Sequence, residues 1–168
     1  MVLIIDMQGF KGPNYTFILK EIALSYDKDR NHIYTIEPPY SFNLLSKPLQ
    51  NQARWLTAHI HGLRWNVGEF SMDLLRRCIN LSLKDQIIYV KNIEKREWLI
   101  DLFKDIPLTV YDLDDFGCMN IDKLKNKYPS VEQCSNHRNT YDNPKLRCAY
   151  QNVILYRKYV DENLKDLS

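Results

Sequence analysis

Three of the four cysteines and one histidine are grouped late in the sequence, and this group constrains the fold more than any other feature. Cys118, Cys134, His137 and Cys148 follow the pattern C-x15-C-x2-H-x10-C. Thiolate and imidazole are ligands that zinc prefers, and four of them close a tetrahedral shell with no position for water. We therefore predict a structural zinc site that holds the C-terminal region together. The spacing matches no standard zinc finger, and the alternative is a set of ordinary half-buried thiols.

Length and composition favour a single folded domain over residues 1–168, with a core that needs no disulfides. The formal net charge of +2 is near balance, so any surface that binds nucleic acid must be locally basic. The N-terminal run MVLIIDMQGF is interrupted by Asp6 too early for a signal peptide, and no segment approaches a membrane-spanning length. We expect an intracellular protein, cytoplasmic or nuclear and not secreted. Reducing conditions there favour metal binding over disulfides.

The hydrophobic pattern predicts an α/β fold, with early antiparallel strands followed by strands that alternate with helices. Gly9, Gly12 and Pro13 predict a turn after the first strand, Gly62 ends the first helix, and Asn143–Pro144 ends a polar loop. The predicted strands are 2–6, 17–27, 32–39, 86–90 and 108–113, and the predicted helices are 49–61, 71–81, 94–103, 121–128 and 149–163. This order favours a mixed five-stranded sheet flanked by helices.

The element order resembles the RNase H-like fold, and in particular the DEDDh exonucleases. The first motif of that family matches IIDMQGF, with Asp6 kept and Gln8 where the family has Glu. The second motif matches YVKNIEKREWL, which brings Glu94 or Glu97 near the position of an Asp. The resemblance implies two divalent cations held by four carboxylates, with a histidine in the last motif as general base.

The last motif of the family matches HRNTYDNPKLRCAYQNV, in which His137 comes early and Cys148 takes the position of an Asp. Gln8 is neutral and Cys148 is a soft ligand unsuited to magnesium, so too few carboxylates remain for two ions. A Cys/His site in place of the carboxylates resembles the Maelstrom domain. That resemblance implies a catalytically inactive fold with a zinc-type Glu-Cys-His-Cys set, RNA binding and a role in small-RNA silencing of transposons.

We therefore predict a zinc-stabilised, catalytically degenerate exonuclease-like domain that binds RNA or another single strand, or acts as an interaction module. The alternative is an active 3′–5′ exonuclease dependent on Mg²⁺ or Mn²⁺. That enzyme requires Asp6, Glu94 or Glu97, and a further acid to converge. The candidates for the further acid are Asp114, Asp115 and Asp142.

Two segments are candidates for contact with nucleic acid. In ARWLTAHIHGLRWNVGEF, Arg64 and Trp65 follow Gly62 in a predicted loop, where an aromatic ring and a cation can hold a base and a phosphate. The alternative is that the tryptophans belong to the core and His59 and His61 make local hydrogen bonds.

In VKNIEKRE, the three cations lie beyond a strand end, where ligands bind in open α/β sheets: Lys91, Lys95 and Arg96. The alternative is a solvated helix face. Asp114 and Asp115 either orient metal ligands or cap a helix. A face for a protein partner on the last helix, formed by Tyr150, Tyr156 and Tyr159, is a third possibility.

Overall fold

The strand order of the central sheet is β3-β2-β1-β4-β5 in a computed structural model that describes residues 2–137 and 145–167. Strands β1 to β3 are antiparallel neighbours, whereas β4 and β5 run parallel to β1. The strands are β1 (Val2–Lys11), β2 (Phe17–Ser25), β3 (Asn31–Thr35), β4 (Ile87–Val90) and β5 (Thr109–Asp112). The helices are α1 (Lys47–Leu56), α2 (Met72–Leu83), α3 (Ile93–Leu102), α4 (Ile121–Lys127) and α5 (Ala149–Asn163).

The predicted α/β class and the RNase H-like mixed sheet are confirmed. The predicted loop at Asn143–Pro144 lies outside the described residues. Within the described ranges, no helix combines the length and the apolar character that a membrane crossing requires.

Strand β1 is longer than the sequence predicts, because Gly9 lies inside it and not in a turn. The strand pairs with β2 as far as Lys11, with a shift of register between Gln8 and Gly9. A Cβ at Gly9 would lie 2.1 Å from the carbonyl oxygen of Ile18, so a larger residue does not fit this close approach. Gly9, which the sequence suggests as a turn residue, therefore allows the shift of register within the sheet.

The period of two in β1 divides its side chains between two helical layers. Leu3, Ile5 and Met7 pack in the core that α2 and α3 cover, whereas Val2 and Ile4 pack in the core that α4 and α5 cover. Asp6 and Gln8 have the same parity as Val2 and Ile4, so they face α5. The sheet thus carries a run of apolar residues on one face and a polar end on the other.

Helix α1 continues into a π-helical turn, Thr57–His61, and Gly62 ends it with a left-handed backbone (φ 69°). This agrees with the predicted end of the helix. The following residues return to a third, smaller core, where Trp65 is buried beside Phe10.

Lys20 is a buried cation of β2 that connects the sheet to this returning loop. Its ammonium group donates to the carbonyl oxygens of Ile36 at 2.6 Å and Trp65 at 2.7 Å, and also to that of Val67. Burial lowers the pKa of Lys20 to about 8, against a raising effect of the nearby Glu37 carboxylate. The three carbonyl dipoles compensate the buried charge, and one side chain thereby fixes two segments of the chain.

Lys20→Met removes the donor and keeps the volume, so three carbonyl oxygens lose a charged partner inside the protein. We expect the free energy of unfolding to fall by about 3 kcal/mol. Urea denaturation measures this fall. In Lys28→Met, the replaced side chain is 82% exposed, and the change should stay within about 0.5 kcal/mol. Equal stability of the two variants would contradict the role of Lys20.

Candidate metal centre and the neighbouring cleft

Four side chains converge beneath the start of α5: Glu21, Cys134, His137 and Cys148. Their ligand atoms all lie within 4.8 Å of one another. The Sγ atoms of Cys134 and Cys148 are 3.5 Å apart, and His137 Nε2 lies 2.9 Å from Glu21 Oε2. Cys134 Sγ lies 3.8 Å from the same carboxylate oxygen. One nitrogen, two sulfurs and one carboxylate oxygen are donors that can hold a metal ion.

The four donors come from three parts of the fold. Glu21 stands on β2, directly opposite Gln8 of β1. Cys134 precedes the short helical turn Ser135–His137, so both donors of the C-x2-H pair come from one turn. Cys148 is the N-cap of α5, and its Sγ accepts from the backbone N–H of Gln151.

Further hydrogen bonds orient the histidine and the glutamate. His137 Nδ1 lies 2.6 Å from the carbonyl oxygen of His61, which only accepts, so Nδ1 carries the proton and Nε2 points into the cluster. Glu21 Oε1 accepts from the backbone N–H of Ala149 at 2.8 Å. Partners of this kind fix ring orientation and tautomer around metals.

The protonation behaviour of the group reflects its burial and its mutual contacts. Burial lowers the pKa of His137, but hydrogen bonds to Cys148 and Glu21 raise it, and the net result is a pKa of about 10. The pKa of Cys148 is raised by its hydrogen bond with Cys134 and by burial. A bound divalent cation would reverse this for the thiols, since coordinated thiols are deprotonated.

Cys118 is not part of this cluster, which corrects the predicted fourth ligand. It lies in the apolar core under α5, beside Ile121 and Tyr159. Burial raises the pKa of its thiol to about 11, so the group is a neutral core side chain there. Glu21 is the fourth member of the cluster, because β2 packs against α5 and brings its carboxylate next to Cys134, His137 and Cys148.

Asp6 lies in a second group of polar side chains on the same face of the sheet, and it is fully buried. Its Oδ1 accepts from the Lys95 ammonium at 2.6 Å, and its Oδ2 accepts from Asn152 at 2.8 Å. Gln8 Nε2 lies 3.5 Å from Oδ2. The carboxylate is thus surrounded by one cation and two neutral amides.

The other carboxylates of the predicted enzyme site do not join Asp6. Glu94 and Glu97 are exposed on α3, and Asp114 forms an ion pair with Lys91. Within residues 2–137 and 145–167, Asp6 belongs to no group of three or more possible metal ligands. Asp115 is exposed, and Asp142 lies outside the described residues.

The predicted nucleic-acid contacts divide into engaged and accessible groups. Lys91 is engaged by Asp114, Arg96 Nε donates to the carbonyl oxygen of Val110 at 2.8 Å, and Trp65 is buried. Lys95 is engaged as well, by Asp6, although its side chain stays 20% exposed. Arg64 is exposed and is the accessible member of the predicted set.

A cleft of about 260 Å³ opens beside Asp6 and Lys95. Lys11 and Arg147 contribute further cations to its wall, and among the described residues no Asp or Glu lines it. Trp55 and Trp98 line it as well; Trp98 stacks on Phe17 with the ring centroids 4.1 Å apart. This combination of cations and aromatic rings can bind an anionic ligand that carries flat rings.

His61 and two of the three tyrosines of the possible partner face are buried. His61 is buried with Nε2 3.0 Å from the carbonyl oxygen of Gly9, and burial lowers its pKa to about 4. Tyr156 and Tyr159 are buried in the core under α5, which corrects the predicted partner face. Tyr150 is only half-buried.

Glu21 and Asn152 are functional candidates that no motif in the sequence singles out. Glu21 interrupts the apolar strand FILKEIALS, and a charged residue on a buried strand is a signal that a partner must exist. Asn152 follows Cys148 by four residues, so it lies on the same side of α5 one turn later.

Two solved structures share the fold of this chain. One is an exonuclease domain of Mopeia virus fully depleted of manganese, with a TM-score of 0.57 and 18% identity over 96% of this chain and 76% of the viral chain. The other is the Mopeia virus exonuclease domain partially complexed with manganese, with a TM-score of 0.54 and 16% identity over 96% and 77% of the two chains. No protein-family model and no curated protein matches the sequence. The chain therefore has an exonuclease-like, RNase H-like fold, with a cluster of Cys, His and Glu that can hold a metal ion.

Proposed function

We propose that this chain is a zinc-stabilised, catalytically degenerate exonuclease-like domain that binds RNA or another single-stranded nucleic acid. The observation that carries the proposal is the environment of Asp6. A lysine ammonium and two amides contact the one carboxylate that matches the exonuclease motif.

Charge explains why this arrangement disfavours catalysis by two metal ions. Two divalent cations bring a charge of +4, which exonucleases of this type offset with several carboxylates. Here Asp6 contributes −1 and Lys95 contributes +1, so the immediate group is neutral, and Gln8 and Asn152 add no charge. Lys95 supplies the compensating cation that a metal ion would otherwise provide.

The donor set supports zinc as the ion of the other cluster. Cys134, Cys148, His137 and Glu21 would hold it, and two thiolates favour zinc over magnesium or calcium. This Glu-Cys-His-Cys set is also the set that the resemblance to the Maelstrom domain implies. A zinc ion held there has a structural role, because it joins β2, the turn Ser135–His137 and the start of α5.

The cleft beside Asp6 supports binding of a single strand. Lys11 and Arg147 suit phosphates, and Trp55 and Trp98 suit stacked bases. The likeness in fold to viral exonuclease domains adds a reason to expect nucleic acid in this cleft. A place in small-RNA or transposon-related pathways, an intracellular location and the single domain over residues 1–168 stay predictions.

Cys134→Ser should remove the bound zinc and lower stability by more than about 3 kcal/mol, because structural zinc contributes folding free energy directly. Elemental analysis of the purified protein and thermal denaturation measure the two effects. Glu21→Gln should lower zinc content as well.

The matched control is Cys118→Ala, which should keep one zinc per chain because Cys118 lies outside the cluster. A wild-type protein without zinc, or full zinc content in Cys134→Ser, would disprove the assignment.

The wild-type protein should not degrade single-stranded RNA with Mn²⁺ or Mg²⁺, because the group around Asp6 has no net negative charge to hold two ions. A gel assay with end-labelled RNA compares the wild type with Asp6→Asn. Both proteins should leave the RNA equally intact. Degradation that requires Mn²⁺ and disappears in Asp6→Asn would establish the enzyme instead.

The double variant Lys11→Gln/Arg147→Gln should bind single-stranded RNA about tenfold more weakly, and the salt dependence of binding should become less steep by about two counterions. Fluorescence anisotropy over a salt series measures both. Lys28→Gln is the control, since Lys28 is exposed in the loop between β2 and β3 and lines no part of the cleft. An unchanged affinity in the double variant would remove the cleft from the binding surface.

A further inference from the structure

A second pocket lies on the other side of α1 from the cleft, and it has a volume of about 470 Å³. Its inner surface is aromatic, because the buried Phe10 and Trp65 and the half-buried Phe42 line it. Trp65 packs against both other rings, with ring centroids 5.4 Å from Phe10 and 5.7 Å from Phe42. The volume lies within the range of pockets that take small organic ligands, about 300–1,000 Å³.

The outer part of this pocket carries two exposed arginines. The guanidinium carbon of Arg54 lies 5.1 Å from the centre of the Phe42 ring. Arg64 lines the pocket from the loop that follows Gly62. Neither arginine forms a salt bridge with a carboxylate of residues 2–137 or 145–167. Two such cations keep their charge available to a ligand.

The sequence around the pocket reinforces this charge. Residues 38–68 contain no Asp or Glu, although the whole chain has 21 of them in 168 residues. The same segment carries Lys47, Arg54 and Arg64, so it has a formal charge of +3 with neutral histidines. All the described residues that line the pocket are neutral or cationic. The charge at the pocket therefore favours an anionic ligand.

We infer that this pocket, which we call the arginine pocket, binds a nucleotide. The planar base occupies the aromatic interior, and the phosphate meets Arg54 and Arg64. Exposed amides at the mouth, Asn43 and Asn66, can hydrogen-bond to the base edge or the sugar. Guanidinium groups pair with phosphate through parallel hydrogen bonds, which suits this chemistry better than a lysine would.

The nucleotide can be free or can be one unit of a single strand. In the second case the inference deepens the proposed function and rests on it. Phe10 lines both the cleft and the arginine pocket, so the two sites are adjacent. The arginine pocket would then hold a nucleotide outside the cleft beside Asp6.

The test uses the full chain with AMP and with a fluorescent oligoadenylate as probes. Calorimetry should show AMP binding to the wild type, and Arg54→Gln/Arg64→Gln should weaken it about tenfold or more. Both arginines are exposed, so this variant should fold. Lys47→Gln is the control, because Lys47 belongs to the same acid-free segment but does not line the pocket, and AMP binding should remain at the wild-type level.

The oligoadenylate distinguishes the two sources of the nucleotide. If AMP displaces the strand and the double arginine variant binds the strand more weakly, the pocket takes a unit of the strand. If AMP binding depends on the two arginines but no strand binds, the pocket binds a free nucleotide. The proposed binding of nucleic acid would then be wrong.

Two results would overturn the arginine pocket. One is the absence of AMP binding to the wild type, and the other is equal AMP affinity in the wild type and the double arginine variant. If the strand still binds and depends on Lys11 and Arg147, the proposed function survives that failure.

Discussion

The buried carboxylate of Glu21 is the constraint on which the site region depends. A carboxylate on a fully buried strand position is costly unless cations or hydrogen-bond donors compensate it. Here the compensation comes from the backbone N–H of Ala149 and from His137, with Cys134 in contact as well. These partners belong to the start of α5 and to the turn before it. The charge on β2 thus determines where both segments must lie, with or without an ion, and a metal ion would compensate the same charge more completely.

The cluster of Glu21, Cys134, His137 and Cys148 is connected to the group around Asp6 through β1, β2 and α5. Glu21 and Gln8 are opposite each other on β2 and β1, and Cys148 and Asn152 are one turn apart on α5. Fixing the first turn of α5 therefore also fixes the amide that contacts Asp6. The position of the polar group around Asp6 therefore depends on the same elements as the cluster.

Local patterns in the sequence indicated the fold and three of the four members of the cluster. Alternation and turn residues predict the five strands, and the C-x2-H spacing predicts that Cys134 and His137 act together. The fourth member of the cluster was not predictable from spacing, because Glu21 is separated from Cys134 by 113 positions and meets it only through the sheet. Cys118 has the right chemistry, but nothing in its spacing shows that it faces the apolar core. Alternation along one strand shows which of its residues share a face, but the spacing between residues of different elements does not show whether they meet.

The near-neutral charge of the whole chain conceals an uneven distribution that only the fold makes apparent. The acid-free segment 38–68 and the cations Lys11, Lys95 and Arg147 come from separate parts of the sequence, but they surround two adjacent openings. Attraction of a polyanion depends on this local field, because charges more than about 10 Å apart are largely screened at physiological salt. A small net charge therefore does not argue against nucleic acid as a ligand. What matters is that Lys11 and Arg147 form no salt bridge with a carboxylate of the described residues, whereas Lys95 is paired with Asp6 and Lys91 with Asp114.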